Sequence, residues 1–154
     1  MPRYLINFMN DFIIHTDGGS RSNPGPAAIG VVIENGKREK LKEYGEYIGK
    51  KTNNEAEYMA AIFALKKVKS LYGKERAKKA TVQVFGDSEL LAKQMNGEYK
   101  IQNANIQPLF LELWNLTIDF GQVSFTSLPR AQNKEADRLV NEALDAQERN
   151  RPLL

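Results

Sequence analysis

The sequence predicts an α/β domain: a five-stranded mixed sheet, its first three strands antiparallel, with helices on both faces. Three observations carry this. Three strand-like runs joined by short turns come first, strand-like and helical stretches then alternate, and the helical stretches carry apolar stripes that need a sheet to cover them. At 154 residues, 42% apolar and 27% charged, the chain fits one soluble domain of the usual ~100–200 residues.

Taken in order, Asp11 to Asp17 alternates, with Phe12, Ile14 and Thr16 on one face and Ile13, His15 and Asp17 on the other, and the Gly18-Gly19 breaker ends the strand at Asp17. Residues 20–26, SRSNPGP, are turn chemistry throughout; Ala27 to Glu34 is a second, apolar strand closed by the hairpin dipeptide Asn35-Gly36. A third strand over about Arg38 to Ile48 is polar and aromatic by turns, as suits a sheet edge. From Thr52 the period becomes helical. Thr52 and Glu55 fit a capping box, Tyr58 to Leu65 is apolar nearly all round, and the helix turns amphipathic before Gly73, which predicts a central, mostly buried helix. Lys66 through Lys79 is the densest basic stretch, expected as a helix C-terminus followed by a solvated loop.

Ala80 to Phe85 is a buried strand running into Gly86-Asp87-Ser88, and Glu89 to Met95 a short helix stopped by Asn96-Gly97. Asn105 to Thr117 carries Ile106, Leu109, Phe110, Leu113, Trp114 and Leu116 at helical spacing, so Trp114 is expected in the core. Val123 to Leu128 is the last strand, and Asn133 is placed to cap a final helix with Ala136, Leu139, Val140, Ala143 and Leu144 inward. The working domain is expected over residues 11–147, with a short N-terminal extension at 1–10 and a C-terminal tail at 148–154.

Composition excludes several chemistries. With no Cys there is no disulfide framework, thiolate zinc site or cysteine nucleophile, and a single His excludes a multi-histidine metal site. The opening MPRYLINFMN does not read as a signal peptide, and no stretch approaches the ~20 apolar residues of a membrane span, so a cytoplasmic protein without membrane contact is expected; separately, it is expected to be a monomer. Twenty-two Lys and Arg against 19 Asp and Glu leave +3, which permits a polyanionic partner without identifying one.

Oxygen ligands remain, and four acids stand where the chain could bring them together: Asp17 and Asp87 at strand ends, Glu57 in the first turns of a largely apolar helix, Asp137 near the start of the last helix. Strands one and four, if adjacent and parallel, would set Asp17 and Asp87 side by side outside their carboxyl ends, where α/β sheets bind ligands. Clustered carboxylates at neutral pH require protons or a shared cation, and a hard all-oxygen set suits Mg²⁺ or Mn²⁺. Two such ions ~3.5–4 Å apart stabilise the attacking and leaving oxygens of phosphoryl transfer, which points to a phosphodiester substrate.

The blocks TDGGSRSNPGP at 16–26, TNNEAEY at 52–58, GDSELL at 86–91 and NKEADRLVNEA at 133–143 resemble, in order, the four signature blocks of type 1 ribonuclease H, over roughly Asp11 to Gln147. The acids stand 40, 30 and 50 residues apart, each in its expected local context. The resemblance implies a ribonuclease H-like fold and hydrolysis of the RNA strand of an RNA/DNA hybrid, leaving 5′-phosphate and 3′-hydroxyl ends. It implies two ions, Mg²⁺ or Mn²⁺, with substrate bound: Asp17 touching both, Glu57 and Asp87 completing the one on the leaving-group side, Asp137 helping to hold the one that activates water. It places Asn23, Asn53 and Asn54 against the RNA strand, Thr52 at a DNA phosphate, and Gly18 and Gly19 among the substrate-binding residues; short amides suit a 2′-hydroxyl, which both donates and accepts.

Two departures from the family pattern stand out. Where much of the family carries a flexible His before the last acid, the loop reads LPRAQNKEAD, with Arg130 at about that place; Arg is no base at neutral pH but can bind phosphate or stabilise charge. A basic helical handle is also missing, since Met95 to Gln107 offers only Lys100. His15, inside a strand with apolar neighbours, reads as structural. Two rival readings are a catalytically silent hybrid-binding module and an integrase- or resolvase-type nuclease of the same fold. The first has no reason to keep four repelling acids, and the second usually needs segments for which 154 residues leave little room.

Overall fold

The computed structural model describes residues 11–150. Expectations for residues 1–10 and 151–154 lie outside them. Five strands, β1 (Asp11–Ser20), β2 (Gly25–Asn35), β3 (Lys40–Lys51), β4 (Thr81–Gly86) and β5 (Gln122–Ser127), form one sheet in the order β3-β2-β1-β4-β5. β1–β2 and β2–β3 are antiparallel, β1–β4 and β4–β5 parallel, so the mixed sheet is as the sequence predicts, with polar β3 at an edge. The helices are α1 (Asn53–Tyr72), α2 (Lys74–Lys79), α3 (Glu89–Met95), α4 (Gln107–Ile118) and α5 (Lys134–Arg149), with a 3-10 turn at Arg130–Gln132.

The apolar alternation divides the sheet into two faces. Phe12 and Ile14 of β1, Val31 and Ile33 of β2 and Val82 and Val84 of β4 pack with Tyr58, Leu65 and Val68 of α1, Leu91 of α3 and Leu113 of α4 in the main core. On the other face Ala28 meets Val140 and Leu144 of α5. The hairpin reading of Asn35-Gly36 holds: the Asn35 carbonyl accepts from Arg38 N–H at 2.9 Å, and its side-chain oxygen accepts from the N–H groups of Lys37 and Glu39.

Several local expectations are corrected. β1 does not end at Asp17: pairing with β4 stops at His15–Phe85, but pairing with β2 continues to Ser20, because an antiparallel partner is still present when the parallel one has turned away. Residues 74–79 form the short helix α2 rather than a loop. Trp114 is 47% exposed, not core: α4 is apolar on two faces, and the one carrying Leu113 and Leu116 packs inward while Leu111, Trp114 and Ile118 face out. Asn133 stands at the N-cap of α5 but its side chain does not cap; it turns inward, and Nδ2 donates to the Thr16 carbonyl at 2.8 Å. α5 also continues to Arg149, into the stretch read as tail.

Candidate active site

The fold converges at the carboxyl ends of β1 and β4. Past the last parallel pair, His15–Phe85, the two strands part, and Asp17 on β1 and Asp87, just beyond β4, stand at the opening. Ser88, not Asp87, caps α3, its Oγ accepting from Leu91 N–H at 3.1 Å, so Asp87 is left to the cleft. Glu57 comes from the first turns of α1, whose start is fixed by the anticipated capping box: Glu55 N–H donates to Thr52 Oγ1 at 3.2 Å and Thr52 N–H to Glu55 Oε1 at 2.9 Å. That bond occupies Glu55, and the carboxylate two residues on enters the site. Asp137 arrives from the other face of the sheet in the first turn of α5, held to β1 by the Asn133–Thr16 hydrogen bond one residue before Asp17.

Asp17, Glu57 and Asp87 each offer an oxygen within 4.8 Å of the others. Asp137 stands outside that trio yet close enough to act on Asp17. Burial, then the charges of Asp87 and Asp137, push the Asp17 carboxyl up to about 8. Burial, then Asp17 and Asp87, likewise hold Glu57 well above the usual carboxylate range. Asp17 is only 5% exposed, so water screens this repulsion poorly. Arg130 lies across the rim, 79% exposed, its Nε 3.9 Å from Asp87 and its Nη2 3.7 Å from Asp137, too far for hydrogen bonds and too wet to neutralise the cluster. An all-oxygen donor set whose members raise one another's proton affinity fits a hard divalent cation.

A cleft of about 490 Å³ contains the four acids, Arg130, Gly18, Gly19, Asn53 and Asn54. Asn23 and Thr52 are not on its wall, but Asn23 is tied to it: Asn53 N–H donates to Asn23 Oδ1, and Ser20 N–H to Asn53 Oδ1, both at 2.9 Å. His15 lies outside the cleft, stacked on Phe85 with ring centroids 5.5 Å apart. The basic stretch lies elsewhere too, with Lys66 on Glu112, Lys69 on Asp119, Lys67 over Tyr44 and Arg76 over Tyr72. Sequence reasoning passed over Ser20, Arg21, Ser88, Asn141 and the apolar wall of Val140 and Leu144. Arg21 grips α5 through Asp145 and Glu148, each at 2.7 Å. The legible signal was the polar stripe Asn141, Asp145, Glu148 at helical spacing.

Comparison with known proteins agrees with this geometry. The family described as reverse transcriptase-like matches residues 15–143. A ribonuclease HI of Halobacterium salinarum is 40% identical over 129 residues, 84% of this chain and 62% of that protein. A bifunctional protein of Mycobacterium tuberculosis is 38% identical over 135 residues, 87% of this chain. The chain spans 35% of that mycobacterial protein's length. Among solved structures, the H. salinarum ribonuclease H1 aligns with a TM-score of 0.82 at 37% identity, covering 88% of this chain and 98% of that one. The LC11 ribonuclease H1, solved in complex with an RNA/DNA hybrid, aligns with a TM-score of 0.84 at 40% identity, covering 89% and 99%. With a family match across most of the chain, and ribonuclease H1 structures covered almost end to end, the chain belongs to the type 1 ribonuclease H family.

Proposed function

We propose that this domain, residues 11–147, hydrolyses the RNA strand of RNA/DNA hybrids with two divalent ions, leaving 5′-phosphate and 3′-hydroxyl ends. The observation that carries the reading is the convergence of Asp17, Glu57 and Asp87 within 4.8 Å, with Asp137 beside Asp17, in an open cleft. Asp17, Glu57 and Asp87 would hold one Mg²⁺ or Mn²⁺, and Asp17 with Asp137 the second. Bound there, the ions supply charge stabilisation for the attacking and leaving oxygens and lower the pKa of water. The chain's own part is placement. Asp17 lies between the helices that bring Glu57 and Asp137 and so can serve both ions, while burial keeps water from screening the cluster. Water adds to phosphorus, the P–O3′ bond breaks, and the 3′-oxygen leaves with a proton.

Asn23 and Asn53 form one hydrogen-bonded unit at the mouth, suited to the 2′-hydroxyls of the RNA strand, with Gly18, Gly19 and Asn54 beside it. Thr52, its hydroxyl already accepting from Glu55, could still donate to a DNA phosphate. Arg130 stands where much of the family carries a flexible His; fixed in charge, it holds a phosphate at the rim rather than moving a proton. Among the described residues no helix stands between α3 and α4, which supports a reading without the basic handle helix, in which hybrid affinity falls to the groups around the cleft. A mere hybrid-binding module would keep the repulsion of four acids for nothing.

Asp17→Asn tests the reading: it should abolish Mg²⁺-dependent cleavage of the RNA strand while binding hybrid in chelator at least as tightly as the unmodified chain. Retained cleavage would overturn the assignment, and a chain that cannot fold would make Asp17 a structural residue.

A further inference from the structure

Both helix-borne acids sit next to an alanine whose backbone is pressed against a strand glycine, and both glycines adjoin Asp17. On one side Gly18 follows Asp17 along β1; a methyl group there would overlap the carbonyl of Ala56 and come within 2.5 Å of the Glu57 nitrogen. On the other, Gly30 is the β2 residue paired directly with Asp17; a methyl group there would overlap the Ala136 carbonyl oxygen and lie 3.0 Å from its carbon. Gly30 in turn pairs with Gly45 on β3, where a methyl group would lie 2.7 Å from the Leu139 carbonyl oxygen. Asp17, Gly30 and Gly45 thus form one transverse row, and α5 crosses it with its backbone in the trough that the two glycines leave.

We infer that Gly18 and Gly30 are positioning residues, which set separately the heights of Glu57 and Asp137 over Asp17, and that Gly30 in particular tunes the ion shared by Asp17 and Asp137. The inference rests on the two-ion reading above. The contact at Gly30 is with backbone, so no rotamer change relieves an added methyl, and packed interiors pass such a displacement on. The first turn of α5 must retreat by roughly 1 Å, and Asp137, next to Ala136, moves with it; a misplacement of that size can cost a rate on the order of 100-fold. Glu57 and Asp87 lie off that path, and Asp17, on the central strand β1 between β2 and β4, keeps its spacing to them.

The test uses the full chain saturated with RNA/DNA hybrid. Ca²⁺ is titrated calorimetrically, the RNA being shown intact on a gel, and Mg²⁺-dependent cleavage is measured in parallel. The unmodified chain should hold two ions. Gly30→Ala should hold one with unchanged affinity and the other about tenfold or more weaker, with the Mg²⁺ midpoint of cleavage raised and KM for hybrid within about twofold. Gly18→Ala should weaken the other ion. Ile33→Ala, a cavity on the same strand but in the opposite core, should lower Tm while leaving both ions in place. If Gly30→Ala does not fold, Gly45→Ala lifts the same helix less and should weaken the same ion to a smaller degree. One ion in the unmodified chain overturns the two-ion reading, and this inference with it. Two ions there, with neither or both equally weakened in the glycine variant that folds, overturn this inference alone.

Discussion

Replacing Asp17 by Asn should stabilise the metal-free protein at alkaline pH and do little at acid pH. Burial and the neighbouring charges of Asp87 and Asp137 raise this carboxyl from 3.8 to about 8. Between those values the folded chain binds a proton that the unfolded chain has released, so stability falls as pH rises, by at most about 1.4 kcal/mol per pH unit. From pH 5 to pH 8 the loss from this group is bounded at about 4 kcal/mol. At roughly 2–4 °C per kcal/mol for a chain of this size, Tm in chelator should drop on the order of 10 °C across that range. Asp17→Asn removes this titration and leaves the similarly raised Glu57, so its decline should be shallower. The variant should melt above the unmodified chain at pH 8 and near it at pH 5. Thermal unfolding followed by circular dichroism in EDTA reads all four values. An unmodified chain at least as stable at pH 8 as at pH 5, or a variant with no advantage at pH 8, would refute the reasoning. Millimolar Mg²⁺ should recover more stability at pH 8 than at pH 5, since it competes with protons for the same oxygens.

Other outcomes follow from the same geometry. Arg130→Ala should leave Tm within about 1 °C, since the side chain is 79% exposed, and lower kcat on hybrid about tenfold; an unchanged rate would make the loop passive. Arg21→Ala unties the β1–β2 turn from Asp145 and Glu148, and should cost below about 1 kcal/mol because both acids are mostly exposed, while raising KM for hybrid through the Asn23–Asn53 unit. Tyr58→Phe orphans the oxygen of buried Gln94, which accepts from the Tyr58 hydroxyl at 2.7 Å, and should destabilise by about 1–3 kcal/mol in urea titrations without changing cleavage rate.

What could be read from the sequence was whatever neighbouring residues decide. Asn35-Gly36 makes its turn from its own atoms, and Thr52 with Glu55 closes a cap within four residues, so both were legible. The acids were found because strand ends, caps and helix starts are local marks, and the structure brings Asp17, Glu57 and Asp87 to one point. Trp114 was misplaced because α4 is apolar on two faces and only α1 and the sheet decide which turns inward. Asn133 has a capping residue's composition, but the carbonyl of Thr16, 117 residues away in sequence, takes its amide instead. β1 outruns its breaker because β2 continues beside it, and the Gly18–Ala56 and Gly30–Ala136 contacts are tertiary and invisible to any window.

The central claim, that this cleft cuts RNA within a hybrid by means of bound divalent ions, is tested most directly by one cleavage experiment. RNA/DNA hybrid labelled in turn on each strand, double-stranded RNA and double-stranded DNA are incubated with the protein and Mg²⁺, Mn²⁺ or chelator, and the fragment ends are mapped. The account predicts internal cuts in the RNA strand of the hybrid, 5′-phosphate and 3′-hydroxyl termini, an intact DNA strand and no cleavage in chelator; cutting of DNA alone, or cutting that chelator does not stop, would contradict it.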